Sequence, residues 1–189
     1  GSYLIHNLYK IKKVKNIYLV DNNSNNKIST LFNLKIKNKK IYFIYDNLMQ
    51  PKKFFKIKNI HVLIHLASIT DAQNSIGEKK FYEKNNLGCF NNVLKYCILN
   101  KTKLIHISST SVYGDQSKIV NEDSKFLKPQ SPYAEIKLKE EKILKKYSKK
   151  INFISLRFGT IAGVSSGMRF HTAVNKFCLN TILNENVPV

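Results

Sequence analysis

Five short apolar runs, interleaved with longer stretches of helical pattern, constrain the fold of this chain more than any other feature. They are Asn16 to Val20, ending at Asp21; Lys40 to Tyr45, ending at Asp46; His61 to Leu66; Lys103 to Ser108; and Ile151 to Leu156. Helical patterns cover Ser2 to Tyr9, a short piece near Pro51 to Lys56, Gln73 to Leu99, Pro132 to Lys149 and Arg169 to Leu183. Asn22 to Asn26 and Gly114 to Pro132 have the chemistry of loops. Strands that alternate with helices are joined by crossovers and run parallel. The expectation is an α/β fold with a doubly wound parallel sheet.

In such sheets ligands bind beyond the carboxyl ends of the strands. One strand end is dense in hydroxyls: Ile105-His-Ile-Ser-Ser-Thr-Ser-Val-Tyr-Gly-Asp115. A later segment, Tyr133-Ala-Glu-Ile-Lys137, follows Ser131-Pro132, a helix-start signal. Four residues apart on a helix, Tyr133 and Lys137 share a face. A phenol is a poor base at neutral pH, and an adjacent ammonium stabilises its phenolate. The spacing alone proves nothing, because 10 tyrosines and a lysine-rich composition produce such pairs by chance, as at Tyr9 and Lys13. The order of strand, serine cluster, loop and helix gives Tyr133–Lys137 its meaning as a proton-transfer site.

Composition limits the other readings. At 189 residues the chain has the length of one domain, and no apolar run approaches the roughly 18 residues that span a bilayer. No signal-peptide pattern opens it, so a cytoplasmic setting is the default. Cys89, Cys97 and Cys178 form no Cys-x-x-Cys pair, so neither a disulfide framework nor a metal site is expected. The net charge of +20 suggests a polyanion partner, through segments such as Lys52 to Lys58 and Lys35 to Lys40. Against nucleic acid stands the near absence of arginine: all but Arg157 and Arg169 of the 32 basic residues are lysine, spread along the chain. His65 and His106, each within an apolar run, read as packed core residues.

Taken together, the motifs resemble the extended short-chain dehydrogenase/reductase family, in its NAD-dependent epimerase/dehydratase branch. The series comprises Gly1-Ser-Tyr-Leu-Ile5, Tyr18-Leu-Val-Asp21, His65-Leu-Ala-Ser68, Asn85-Asn-Leu-Gly88, Ser108 to Gly114, Tyr133 to Lys137 and Leu156-Arg-Phe-Gly-Thr160. The resemblance implies a single Rossmann-like NAD-binding domain over residues 1–189, with a substrate-binding region starting at about residue 164. It also implies that the chain is a piece lacking the first strand and the C-terminal substrate region. Asp21 follows Gly1 at the distance of the acid that grips the adenosine ribose. Such a piece is expected to be inactive and to bind NAD poorly.

The same resemblance assigns roles. Tyr133 is the acid/base; Lys137 holds the nicotinamide ribose and lowers the Tyr133 pKa; Ser109 hydrogen-bonds the reacting oxygen. Gly1, Asp21, Asp46, Leu66, Ala67, Ser68, Asn85, Phe158 and Gly159 join Tyr133 and Lys137 around NAD, and Asp21 favours NAD over NADP. Thr110, Ser111, Thr160 and Asn175 face the substrate. The implied activity is epimerisation of a nucleotide sugar through transient oxidation at a hydroxyl-bearing carbon, by a homodimer. A one-way reductase or dehydrogenase of the family, or a non-catalytic member binding RNA or another polyanion, are the alternatives. Dehydration is disfavoured because Thr110-Ser111 stands where dehydratases carry an Asp-Glu pair to expel water.

Overall fold

The structure is a computed structural model that describes residues 1–24, 31, 41–70, 75–170 and 172–187. Asn25, Asn26, Lys35 to Lys40 and Gln73, all named in the sequence-based expectations, lie outside the described residues. The chain divides into two compact units, residues 1–45 with 160–189, and residues 46–159.

In the first unit, helix α1 (Ser2–Lys10) starts at Gly1, and strands β1 (Ile17–Asp21) and β2 (Ile41–Tyr45) pair in parallel, Ile17 opposite Ile41 through Asp21 opposite Tyr45. Tyr18 and Tyr42 stack across this pair at 4.9 Å. Helix α4 (Ala173–Ile182) is shorter at its start than the pattern from Arg169 suggested.

The second unit is a parallel sheet of β3 (Val62–His65), β4 (Lys103–Ser109) and β5 (Phe153–Phe158), with β4 central. Helix α2 (Lys79–Asn100) joins β3 to β4, and α3 (Pro132–Lys146) joins β4 to β5. The helices pack on each other, and each packs on β4. The sequence explains where α3 starts and stops. Ser131 Oγ accepts from the Ala134 amide, Pro132 occupies the first turn, and Lys145 and Lys146 meet the negative end of the dipole. Helix α2 ends on Lys101 in the left-handed conformation (φ 52°), which lets the Thr102 amide donate to Cys97 O. Phe90, Val93, Tyr96, Leu104, Val112, Ala134 and Leu144 are buried in the interior of this unit. Each large apolar side chain buried there contributes roughly 1.5–3 kcal/mol.

Boundaries in this unit differ from expectation. The piece near Pro51 to Lys56 is a single 3₁₀ turn, Phe54–Lys56, and α2 begins at Lys79 after a turn containing Gly77. Strand β5 lies two residues later than the apolar run, pairing with β4 from Phe153 opposite Leu104 to Phe158 opposite Ser109, and its Arg157 meets a carboxylate on α3. Among the described residues no helix is long and apolar enough to cross a membrane.

Candidate active site

Strand β4 delivers Ser109 to its carboxyl end, where Ser109 caps a 3₁₀ turn, Thr110–Val112. Ser109 Oγ accepts from the Ser111 amide at 3.2 Å and from Ser111 Oγ at 2.8 Å, so the two hydroxyls form one cluster. Thr110 Oγ1 points to Phe158 O at 3.5 Å. Gly114 closes this turn with φ 67°, and a Cβ there would run into the Lys128 carbonyl. Only glycine allows the loop to return so closely, with the Lys128 amide on Tyr113 O at 3.2 Å.

Helix α3 packs against this turn. Tyr133 opens the helix, its amide donating to Ser75 Oγ at 3.3 Å, and Lys137 Nζ lies 5.8 Å from the Tyr133 ring centroid. Lys137 is only 3% exposed, and its Nζ donates to Glu140 Oε2 at 2.8 Å. The same oxygen is 2.8 Å from His106 Nε2, and His106 Nδ1 is 2.8 Å from Ser155 Oγ. Burial pushes the Glu140 carboxyl up, but the His106 hydrogen bond and the Lys137 charge more than offset this and hold it below the usual range. Burial drives His65 down to about 3, aided by the Lys137 charge. Next along α3, Glu141 takes a bidentate grip from Arg157 (3.0 and 2.7 Å) and a 2.5 Å bond from Ser108. Arg157 stacks on the Tyr113 ring at 4.8 Å. The charge network behind Tyr133 has no place in the sequence-based site. Its one legible trace is an acidic pair, Glu140-Glu141, three and four residues after Lys137.

The remaining expected residues fall into two sets. In the second unit, Leu66, Ala67 and Ser68 follow β3 directly, and Phe158 and Gly159 end β5; Leu66 and Phe158 are 47% and 40% exposed. Asn85 donates to Asn86 Oδ1 at 3.1 Å. It is Asn86, fully buried, that pins the loop after β3, bonding both the Ile69 amide and carbonyl at 2.9 Å. Sequence reasoning passed over Asn86, although it falls on the buried stripe Tyr82, Asn86, Cys89, Phe90, Val93. Asp46 is 7% exposed and accepts from the amides of Asn47, Lys52, Lys53 and Phe54, so its carboxylate organises its own loop. In the first unit, Gly1 precedes α1 and Asp21 ends β1 exposed, accepting from the Asn23 amide at 2.6 Å. Thr160 is exposed. Asn175 is 6% exposed and ties the Gly163 amide to Arg169 O.

A model of the NAD dependent epimerase/dehydratase family matches residues 1–187. An uncharacterized UDP-glucose epimerase of Bacillus subtilis (strain 168), YtcB, is 30% identical over 189 residues, covering 93% of this chain and 58% of that protein. A dTDP-D-glucose 4,6-dehydratase of Dictyostelium discoideum is 31% identical over 183 residues, covering 86% of this chain and 42% of that one. The structure of UDP-glucuronic acid 4-epimerase from Bacillus cereus, in complex with UDP-glucuronic acid and NAD, matches with a TM-score of 0.84 at 29% identity, over 99% of this chain and 61% of that chain. This chain therefore spans 42% to 61% of the length of these three proteins. Its parallel α/β layers are Rossmann-like, as the strand–helix alternation implied. The chain belongs to the NAD-dependent epimerase/dehydratase family, whose members are enzymes.

Proposed function

We propose that this chain carries the catalytic half of an NAD-dependent epimerase acting on a nucleotide-activated sugar. The observation that carries the reading is the packing of α3, with Tyr133 and Lys137 on its first turns, against the Ser109-capped end of β4. The residues at hand suit a dinucleotide. Open apolar side chains, Leu66 and Phe158, lie at strand carboxyl ends beside Ala67, Ser68 and Gly159, and Lys137 offers a fixed ammonium. The resemblance also assigns Gly1, Asp21 and Asn85 to NAD, Asp21 as the acid for the ribose hydroxyls; Asp21 ends β1 exposed and accepts from the Asn23 amide. Asp46 contributes by shaping its loop, since its oxygens already accept four amides. When bound, NAD would take a hydride from the hydroxyl-bearing carbon and return it to the opposite face.

The protein's own part is proton management and orientation. Tyr133 takes the proton from the sugar hydroxyl and later gives it back. Lys137 favours the phenolate and holds the ribose; Ser109 hydrogen-bonds the reacting oxygen, with Ser111 fixing its rotamer. Thr110, Thr160 and Asn175 complete the substrate contacts, Asn175 through the backbone it ties. No carboxylate accompanies Ser109 in the turn, since Thr110 and Ser111 occupy it, so the reading favours epimerisation over dehydration even beside a dehydratase relative. A homodimer working in the cytoplasm goes with this reading.

Tyr133→Phe in the full-length protein is expected to lower turnover of UDP-sugars by about 100-fold or more while NAD binding persists. Near-normal turnover would sink the assignment. Following reduced nicotinamide by its absorbance separates the alternatives: an epimerase shows no net change, a reductase or dehydrogenase does. Tight, steeply salt-dependent RNA binding without turnover would favour the polyanion reading instead.

A further inference from the structure

The buried face of α3 runs Ile136, Lys137, Glu140, Leu144, so two ions interrupt an otherwise apolar stripe. Glu140 is fully buried, and its Oε2 serves both Lys137 Nζ and His106 Nε2, each at 2.8 Å. Its other oxygen, Oε1, is buried without a hydrogen-bond partner among the described residues. From behind, Ser155 on β5 holds His106 on β4 through Nδ1 at 2.8 Å. For stability alone, apolar residues of similar size would serve such a place as well or better, because burying ions forfeits their hydration. A carboxylate kept against Lys137 is explained by what it does to Lys137.

We infer that Glu140 is a positioning residue: it fixes the Lys137 ammonium beside Tyr133 and limits how much of its positive charge reaches the Tyr133 hydroxyl. This rests on the roles proposed above for Tyr133 and Lys137. Among the described residues, the titratable groups that interact with Glu140 lie on four elements: Lys137 on α3, His65 on β3, His106 on β4 and Cys89 on α2. Burial keeps His65 neutral, at about 3, and pushes the Cys89 thiol up to about 11, so neither supplies a compensating charge. Lys137 has three N–H donors, and Glu140 occupies one, which leaves two for a ribose.

The sign of the effect follows from charge. A cation favours the phenolate, and an anion behind the cation opposes it. In the full-length protein, Glu140→Gln removes the anion and keeps the shape. The acid limb of kcat/KM against pH is expected to move down by about one pH unit, and kcat to fall about ten-fold as Lys137 loosens. Glu140→Asp, which keeps the charge, should return the limb to its original pH. A limb that stays in place in Glu140→Gln while rates merely scale down would overturn the inference. Acetylation rates read peptide by peptide need no substrate. In the unsubstituted protein Lys137 should react about ten-fold or more slowly than exposed Lys142, and Glu140→Gln should narrow that gap. Equal rates in the unsubstituted protein would overturn the inference even if the variant did not fold. An unsubstituted protein that turns over no nucleotide sugar defeats the proposed function, while the acetylation rates still decide the link between Glu140 and Lys137.

Discussion

Helix α3 carries ion pairs of nearly equal length on two faces. On the inner face Lys137 and Glu140 meet at 2.8 Å, with side chains 3% and 0% exposed. On the outer face Lys139 meets Glu83 of α2 at 2.5 Å, and Glu135 meets Lys79 at 2.7 Å, with side chains 34% to 51% exposed. Glu141 and Arg157, 14% and 15% exposed, fall between. Distance does not separate these pairs; water does. Where solvent is excluded the same separation gives a far stronger attraction, and each ion has also given up its hydration to be there. The inner pair therefore behaves as a unit whose halves cannot be removed singly, and the outer pairs behave as surface decoration.

The largest effect should come from breaking the inner unit. Glu140→Ala leaves Lys137 and His106 without their shared acceptor in a closed interior. Removing one partner of such a pair is expected to cost about 3–5 kcal/mol in urea denaturation. The double variant Lys137→Met/Glu140→Leu, with no charge left to strand, should recover most of that loss. A loss below about 1 kcal/mol for Glu140→Ala would place the inner pair with surface pairs and erase the contrast between the faces.

Acid should separate the faces next. His65 is depressed to about 3 by burial, from an ordinary 6.5, so between those values the unfolded chain binds more protons than the folded one. Stability therefore falls as pH drops below about 6.5, and the contribution is spent below about 3. Glu140 and Glu141, both held below their ordinary 4.5, add a further loss only below that value. Between 6.5 and 4.5 the His65 contribution stands apart from that of the glutamates. Its slope is at most about 1.4 kcal/mol per pH unit. Denaturation of His65→Leu compared at pH 7 and pH 5 should show a reduced pH dependence, and an unchanged one would mean that His65 takes up its proton in the folded state.

These two faces also mark what could be read from sequence. The start of α3 was legible because Ser131 and Pro132 act within one turn of it. Ser109 and the Tyr133–Lys137 spacing were legible because strand end, cap and helix face are local consequences of order. The burial of His65 and His106 followed from the apolar runs around them. Glu140 was not legible: three residues from Lys137 in a run of lysines and glutamates, it looks like a solvated charge, and only His106, 34 residues from Glu140 and 49 from the Ser155 that holds it, reveals otherwise. The end of β5 was misplaced because its last residues, Arg157 and Phe158, pair with Ser108 and Ser109 of β4, and the Glu141 that meets Arg157 lies on another element. Asn86 and Asp46 repeat the lesson, as polar side chains whose partners are backbone groups of loops. Periodicity reports which face is buried, and it is blind to polar groups satisfied through tertiary contacts.

The smallest effect should come from the outer face. Lys139→Ala, Glu83→Ala and the double variant form a cycle across a pair whose side chains are 47% and 34% exposed. The Lys139 hydrogen bond holds the Glu83 carboxyl below its ordinary value, yet both side chains are partly open to solvent that screens the pair. Holding two long side chains in one geometry also offsets much of the attraction. The three denaturation midpoints should agree within experimental scatter, and raising the salt concentration should leave them together. A coupling that approached the loss in Glu140→Ala would show that geometry, and not exclusion of water, sets the strength of ion pairs on α3.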